Sequence, residues 1–419
     1  MLAHVLLGSI VGLSILLMLV RPRGLAEAWW IGGGALLLLA LRLVSLPLAG
    51  HAVAQGTDVY LFLIGMMLLS ELARSQGVFD WISSVAVLRA EGSSVRLFTL
   101  VYGIGMVVTV FMSNDATAVV LTPAILAAVR KAKVQPLPHL FACALIANAA
   151  SFVLPVSNPA NLVVFNQGLP SLVHWLAAFA LPSLLSIAAT YAVMRILFRA
   201  PLSLPIEGSL QPVALTANGR LVLLGLALMT LVLLAASATG RSLGPPTCLA
   251  ALAITAVVCV RSRSNPLTLA RSISWGTLAL VAGLFIMVNA VQSIGALRSS
   301  QAALAWVQTL PPTLGVFVTG FAVGLANNLV NNLPLGLIAA GTLHAAHATR
   351  LIAGAVLIGV DLGPNLSVTG SLATILWLLA LRKEGVSVSF WDFLKLGAIA
   401  MPTALAAALA GALLAQKLS

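Results

Sequence analysis

The sequence predicts an all-α polytopic membrane protein, built from two inverted repeats of five transmembrane helices, each with a re-entrant hairpin and a broken helix. Three observations lead to this prediction: an apolar composition, the same order of elements in both halves, and four polar interruptions inside apolar segments. The composition excludes an ordinary soluble chain. Of 419 residues, 60% are hydrophobic and 8% are charged, whereas a soluble domain carries about 25% charged residues.

Ten apolar segments approach the length of about 20 residues that a transmembrane helix needs. The first of them lacks a basic leading region and a small-residue cleavage site, so we expect a retained span and not a signal peptide. The ten predicted spans cover 5–20, 29–49, 59–79, 140–165, 172–198, 221–239, 245–260, 274–295, 351–380 and 394–415.

Two further apolar stretches, 97–129 and 311–343, are each 33 residues long and have a polar centre. The interruptions are "SND" at 113–115 and "NNLVNN" at 327–332, which leave halves of only 11–16 residues. A half of that length is too short to cross alone. An unbroken helix of the whole stretch would reach about 50 Å, well beyond a hydrocarbon core of ~30 Å. A re-entrant hairpin fits both lengths.

Basic residues set the predicted orientation. Arg89 and Arg96 precede the first hairpin, and Arg130, Lys131 and Lys133 follow it. Cytoplasmic loops hold an excess of Lys and Arg, so both ends of this hairpin are predicted to be cytoplasmic. The same threading places the N- and C-termini on the periplasmic side of a bacterial inner membrane. It also accounts for the net charge of +12 without nucleic acid as a partner.

The two halves of the chain resemble each other. "LIGMMLLSELARSQG" (63–77) is similar to "VAGLFIMVNAVQSIG" (281–295), and "LPVSNPANL" (154–162) is similar to "LSVTGSLAT" (366–374). Each half contains five full crossings, an odd number, so the second half is predicted to be inverted. Inverted repeats with broken helices are typical of secondary transporters. The predicted division is a first repeat 1–200 (hairpin 97–129, broken helix 140–165), a cytoplasmic linker 201–220, and a second repeat 221–419 (hairpin 311–343, broken helix 351–380).

The four polar breaks predict a shared site. Irregular backbone at membrane depth is tolerated only where protein or a watery cavity satisfies it. Asn, Asp, Ser and Thr are good helix N-caps, and helix N-termini favour oxygen-rich ligands. The alternative is that these polar residues only join helices. The predicted substrate-binding residues are Ser113, Asn114, Asp115, Thr117, Asn148, Ser157, Asn158, Asn161, Asn327, Asn328, Asn331, Asn332, Asn365, Thr369 and Ser371.

Two of the ten acidic residues are predicted to couple transport to protons. Seven of the others can be placed near membrane ends or in loops, and Glu71 lies three residues before Arg74, with which it can pair. Asp115 and Asp361 remain, each in a broken region. An intramembrane carboxylate is costly and by default functional. An apolar environment favours its protonated form, which suits reversible proton loading. A permanently paired structural Asp is the alternative at each position.

The sequence predicts no catalytic activity, such as ATP hydrolysis, for this chain alone. No Lys follows a Gly as a phosphate-binding loop requires, and no HExxH occurs. Cys143, Cys248 and Cys259 are scattered through apolar segments, so no metal site by thiolate ligation and no cofactor is predicted. The energy source would be an ion gradient or a separate subunit.

Two motifs carry a family resemblance. "IGVDLGPNLSVTGSLATILWLLAL" (358–381) and "FMSNDATAVVLTP" (111–123) resemble the arsenical pump membrane protein (ArsB) family of the ion transporter superfamily. The resemblance runs from "VRPRGLAEAWW" near the start to "LKLGAIAMPTALAAALA" near the end. Pro159 and the Asn-rich segment 327–332 depart from the family pattern.

This resemblance implies export of arsenite or antimonite as a neutral trivalent hydroxide, by alternating access, driven by inward protons or the membrane potential. Asn amides and hydroxyls can both donate to and accept from its hydroxyls. An anion carrier or sodium/proton carrier of the same superfamily is the alternative. A third hypothesis is a membrane-embedded enzyme or a passive subunit. An enzyme would need a nucleophile–base pair at the breaks, and no His lies in them. The implied partners are the metalloid, protons and membrane lipid, with docking of an arsenite-stimulated ATPase subunit left open.

Overall fold

The computed structural model describes residues 2–166, 168–206, 213–263, 265–295 and 297–418, and these ranges contain helices and no β-strand. Residues 207–212 of the predicted linker lie outside the described part. The first half contains α1 (Leu2–Val20), α2 (Glu27–Ala40), α3 (Leu46–Gln55), α4 (Thr57–Ser75), α5 (Val78–Arg89), α6 (Ser94–Phe111), α7 (Asn114–Ala116), α8 (Thr122–Lys131), α9 (Pro136–Ala149), α10 (Pro159–Val164), α11 (Leu172–Leu197) and α12 (Arg199–Leu202).

The second half repeats the same order of elements. Eight of the described helices are long and apolar enough to cross a membrane, or nine if α3 and α4 form one bent span. The prediction of an all-α, multi-pass membrane protein is therefore confirmed. The helices of this half are α13 (Ala217–Ala238), α14 (Gly244–Ser262), α15 (Pro266–Ser272), α16 (Trp275–Ser293), α17 (Arg298–Val307), α18 (Pro312–Val330), α19 (Asn332–Ala345), α20 (Arg350–Leu362), α21 (Leu372–Lys383) and α22 (Phe390–Leu418).

The prediction of one span over 29–49 is wrong, because this segment divides into two helices. Helix α2 ends at Ala40, and Arg42 adopts a left-handed conformation with φ 54°. Ser45 then caps α3 by accepting a hydrogen bond from the Leu48 amide (3.3 Å), and Pro47 occupies the first turn. Helix α3 continues into α4 across a bend of 49°. Arg42 and the Ser-Leu-Pro start signal at 45–47 thus outweigh the high average hydropathy of the segment.

The chain turns back at both predicted hairpin tips, but the first arms are longer than predicted. That each hairpin enters and leaves the membrane on one side stays a prediction. Helix α6 has 18 residues and α18 has 19, so neither is too short to cross. Ser93 caps α6 by accepting from the Arg96 amide (3.3 Å), and α18 runs on to Val330. The chain turns back after each arm. Helix α19 packs on α18, and the hydroxyls of Thr109 and Thr117 bond across the first hairpin at 2.8 Å.

Two groups of helices pack around the hairpins. In the first group α4 packs on α14, α2 on α16, α1 on α2, and α13 on α14. In the second group α11 packs on α22, α18 on α20, α6 on α9, and α20 on α22. The groups meet where α19 contacts α16 and α10 contacts α4. The second group therefore carries all four polar breaks, and the first group forms the wall opposite them.

Four glycines bring α18 and α20 unusually close. Gly320 and Gly324 of α18 face Gly359 of α20 and Gly363, which directly follows α20, so both pairs have a spacing of four residues. A Cβ atom at Gly359 would lie 2.7 Å from the carbonyl oxygen of Gly320, and one at Gly363 would lie 2.5 Å from that of Gly324. Small residues at this spacing let two membrane helices approach backbone to backbone. The contact ties the second hairpin to the second broken helix.

Candidate functional site

Both hairpin tips contain one residue in a conformation that favours glycine. Ser113 has φ 150° and ψ 165°, and Asn331 has φ 78° and ψ 153°. Ser113 lies two residues after the end of α6, and Asn331 directly follows α18. In both cases the next helix begins at the following residue, Asn114 or Asn332. Non-glycine residues in this region store backbone strain, and such strain clusters at functional sites. The two tips therefore share a strained turn at corresponding positions.

The strain at Asn331 predicts a difference between two substitutions. Its side-chain amide donates to the carbonyl oxygen of Thr369 (3.2 Å), and this bond is lost in both Asn331→Ala and Asn331→Gly. Only glycine also removes the backbone cost, so we expect Asn331→Gly to be more stable than Asn331→Ala by about 1–3 kcal/mol. Thermal unfolding of the purified protein in detergent measures this difference.

The neighbouring position provides the control. Asn332 lies in the first turn of α19, where alanine is favoured over glycine by about 0.5–1 kcal/mol. Asn332→Gly should therefore be less stable than Asn332→Ala, the opposite order from residue 331. The same order at both positions would show that the turn at Asn331 is not strained.

The broken helices are capped at equivalent points. Helix α10 begins after Asn158, whose Oδ1 accepts from the Ala160 amide (3.0 Å), and α21 begins after Ser371, whose Oγ accepts from the Thr374 amide (3.1 Å). Both caps have extended backbone. This pairing of Asn158 with Ser371 shifts the predicted alignment of 154–162 with 366–374 by one residue.

The tips and one break meet at a small central cavity. Its polar lining is Asn114 and Asp115 from the first tip, Asn158 from the first break, Asn332 from the second tip, and Thr277 from α16. Its volume of about 10 Å³ leaves room for about one water molecule in this conformation. Its lining contains no Lys, Arg or His. The remaining lining is Leu63, Pro159, Leu333, Leu372 and Ala373.

A wider access cavity and an outer vestibule adjoin the central cavity, because Thr277 and Leu372 line all three. The access cavity, about 130 Å³, runs from Ser113 and Asp115 to the exposed residue Ser274. The outer vestibule, about 430 Å³, continues past Ser274 to a face that includes Arg21, Glu27 and Arg382. The distribution of basic residues in the sequence predicts that this face is cytoplasmic, and its orientation stays a prediction.

The two candidate coupling carboxylates lie in different surroundings. Asp115 lines both the central and the access cavity. Asp361 is fully buried, and its Oδ1 accepts from the Asn158 amide (2.7 Å) while its Oδ2 has no partner among the described residues. Neither carboxylate forms an ion pair with any cation in the described ranges. Glu71, in contrast, pairs with Arg74 at 2.7 Å as predicted.

Several predicted site residues in the first half hold the break and do not line the central or access cavity. Asn148 donates to Asn365 Oδ1 (2.9 Å), and Asn365 donates to the carbonyl oxygen of Leu145 (3.1 Å). Asn161 donates to the carbonyl oxygens of Ser151 (2.9 Å) and Leu154 (3.2 Å). Ser157 donates to the carbonyl oxygen of Val110 (3.0 Å). The hydroxyl of Thr117 bonds to that of Thr109 (2.8 Å).

In the second half, Asn side-chain amides likewise donate to backbone carbonyl oxygens and hold the break. Asn327 donates to the carbonyl oxygen of Val360, and Asn328 donates to that of Gly363 (3.1 Å). Thr369 donates to the carbonyl oxygen of Asn328 (3.0 Å). Asn327 and Asn328 lie in the last turns of α18, so the turn is confined to Asn331 and does not cover 327–332 as predicted. Direct contact of these residues with a substrate stays a prediction.

Thr277 is a site residue that the sequence did not indicate. It lies on α16, it is buried, and its hydroxyl bonds to that of Ser274 at 2.8 Å. A single Thr in an apolar helix carries no pattern of its own. Only the packing of α16 against the hairpin tip reveals that it faces the cavity.

Comparison with known proteins now defines the class. The citrate transporter family matches residues 7–360, so the chain belongs to this family and is a multi-pass membrane transporter. A crystal structure of the Alcanivorax borkumensis YdaH transporter, described as having an unusual topology, covers 91% of this chain and 90% of its own. Its TM-score is 0.60 and its identity 16%, so this likeness concerns the fold alone.

Curated relatives point within that class to arsenical pumps. The chain is 26% identical over 413 residues to the arsenical pump membrane protein of Yersinia enterocolitica, covering 94% of this chain and 95% of the relative. It is 27% identical over 420 residues to one from Escherichia coli, with the same coverage. A putative arsenical pump membrane protein of Bacillus subtilis is 26% identical over 411 residues, covering 91% and 93%. The predicted resemblance to arsenical pump membrane proteins is confirmed.

Proposed function

We propose that this protein exports arsenite or antimonite from the cytoplasm as the neutral trivalent hydroxide, in exchange for protons, across a bacterial inner membrane. The observation that carries this proposal is the polar lining of the central cavity. It consists of three Asn amides, one Thr hydroxyl and one Asp, without a cation. Such a lining suits a small uncharged molecule with hydroxyl groups.

Unpartnered oxygens at the two tips support a hydroxylated cargo. Asn114 Oδ1 and Asn332 Oδ1 are buried, and neither has a hydrogen-bond partner among the described residues. A buried acceptor without a partner is costly. Two hydroxyls of a trihydroxide can donate to these oxygens, and a third can bond to Asp115. Cargo binding would then satisfy groups that the empty site leaves unpaired.

Thiolate ligation is not needed for this site. Cys143 is buried in α9, and Cys248 and Cys259 lie in α14. None of the three lines the central cavity, the access cavity or the outer vestibule. Amide and carboxyl oxygens are the groups that face the cargo.

Exchange with protons would use the two carboxyl groups in sequence. Asp115 faces the cavity directly and can bind either a proton or a cargo hydroxyl. Asp361 is separated from the cavity by Asn158, which lines the cavity and donates to it. A buried carboxyl group without a cation is tolerated when it carries a proton. Because Asn158 donates to Asp361, a movement of the Asn158 side chain during cargo binding would change the hydrogen bonding of the Asp361 carboxyl group.

Alternating access would move the second group of helices relative to the first. In this conformation the three cavities lead toward the predicted cytoplasmic face, and the central cavity, at about 10 Å³, must widen before it can take a trihydroxide from inside the cell. Release would require the hairpin tips to face the other side. The alternative to protons as the energy source is an arsenite-stimulated ATPase subunit, which would dock on the cytoplasmic loops.

An anion carrier is the second candidate function, because the matching family is described by citrate transport. A citrate trianion in the central cavity would lie beside Asp115 with no cation in the lining. Bringing these like charges together without compensation is unfavourable. The site therefore favours a neutral cargo.

Everted membrane vesicles separate the candidate functions. We expect arsenite to accumulate when the vesicle interior is acidified without ATP, and we expect citrate and sodium not to accumulate. Vesicles without the protein are the control. Citrate uptake without arsenite uptake would overturn the proposal, and arsenite uptake that requires ATP would assign the energy to a separate subunit.

A further inference from the structure

A separate cavity of about 530 Å³ lies on the second group of helices. It is formed where the first turns of α11 and α20 and the last turns of α22 come together. It shares no lining residue with the central cavity, the access cavity or the outer vestibule. The transport mechanism therefore does not account for it.

One end of this cavity is basic. Arg350 is the first residue of α20 and is exposed, and His174 lies in the first turn of α11. A cation at a helix N-terminus is unfavourable, because the helix dipole is positive there. Arg350 forms no ion pair within the described ranges, and no Asp or Glu lines the cavity. This end lacks a compensating negative charge.

The rest of the cavity is mainly apolar, with Gln416 as its further polar lining residue. Its walls carry small side chains, including Ala178, Gly354 and Ala412, with the rings of Phe165 and Phe179. Ala178 is exposed on the surface of a membrane-spanning helix, so the cleft opens toward lipid. Acyl chains are the apolar molecules that surround such a helix.

We propose that this cavity binds one anionic phospholipid. Its phosphate would lie against Arg350 and His174, and one acyl chain would fill the cleft between α11, α20 and α22. The basic end and the apolar cleft match the two parts of such a lipid, its anionic headgroup and its acyl chain. Since α20 also carries Asp361, the lipid would contact the helix group that surrounds the central cavity.

Native mass spectrometry of the full chain, released from micelles with added lipid, tests this site. Phosphatidylglycerol should remain bound in preference to phosphatidylcholine. Arg350→Gln should weaken phosphatidylglycerol binding about fivefold, the effect of one basic residue at an anionic lipid surface, and leave phosphatidylcholine unchanged. Ala178→Leu should weaken both lipids, because its side chain would enter the cleft.

Matched variants control for general effects. Arg241→Gln removes an exposed arginine that does not line the cavity, and Ala180→Leu enlarges an exposed alanine of α11 outside the lining. Both should bind lipid like the wild type. Equal retention of the two lipids, or binding that Arg350→Gln leaves unchanged, would overturn the proposal. So would displacement of the lipid by soluble glycerol phosphate alone.

Discussion

Asp115→Asn is expected to reduce proton-driven arsenite transport to the level of vesicles without the protein. The substitution keeps the size of the side chain but removes the group that gains and loses a proton. Asp115 lines both the central and the access cavity, so its proton exchanges at the same place where cargo binds. Transport measured at several pH values in everted vesicles should show no response to the imposed proton gradient.

Asp361→Asn should reduce proton-driven arsenite transport less than Asp115→Asn does. The Asp361 carboxyl group does not reach the cavity, and a neutral amide can still accept from Asn158 as the protonated acid does. Transport should remain measurable, with a weaker dependence on pH. The control is Glu71→Gln, which changes a carboxylate that lines the access cavity but is paired with Arg74. If both Asp115→Asn and Asp361→Asn leave transport and its pH dependence intact, these residues do not couple it to protons.

Gly363→Ala is expected to lower the free energy of unfolding by about 1–3 kcal/mol, the usual cost of overpacking a close contact. The added Cβ atom would lie 2.5 Å from the carbonyl oxygen of Gly324 and 2.9 Å from the Cβ atom of Asn327. Neither neighbour is a flexible side-chain end, so the helices must move apart. Because α20 carries Asp361 and α18 leads to Asn331, transport should fall as well.

Gly354→Ala provides the matched control on the same helix. There the nearest atom to an added Cβ is a ring carbon of Phe179 at 3.7 Å, an ordinary van der Waals distance. The unfolding temperature in detergent should therefore fall for Gly363→Ala, whereas Gly354→Ala should leave it unchanged or raise it slightly, because alanine is favoured over glycine inside a helix. Equal effects of the two substitutions would mean that α18 and α20 are not held by backbone contact.

Much of the fold could be predicted because hydropathy and local signals agree. Polar residues inside 97–129 and 311–343 are costly in a continuous membrane helix, so they mark the two hairpins and their turns. The helix caps could also be predicted, since Asn158 and Ser371 each satisfy an amide at a helix start. The division of 29–49 was missed because the segment is apolar on average, and the break depends on its few polar residues, Arg42 and Ser45.

The candidate site was predicted only in part. Asn114, Asp115, Asn158 and Asn332 were predicted and do line one cavity. Asn148, Asn161, Asn327 and Asn365 have the same residue type, and their amides bond to backbone or to each other. Residue type cannot separate the two uses, because an Asn offers the same donors and acceptors in either place.

The sequence by itself determined that this chain crosses a membrane, which four apolar segments carry polar breaks, and which two carboxyl groups have no basic residue nearby in sequence. These properties follow from composition and local spacing, since a bilayer excludes charge and unsatisfied backbone wherever they occur. The tertiary structure decided which amides face a cavity, that Asp361 lies behind Asn158, and that Thr277 completes the lining. Those facts depend on contacts between residues far apart in the chain, such as the approach of α18 to α20, which local patterns do not specify.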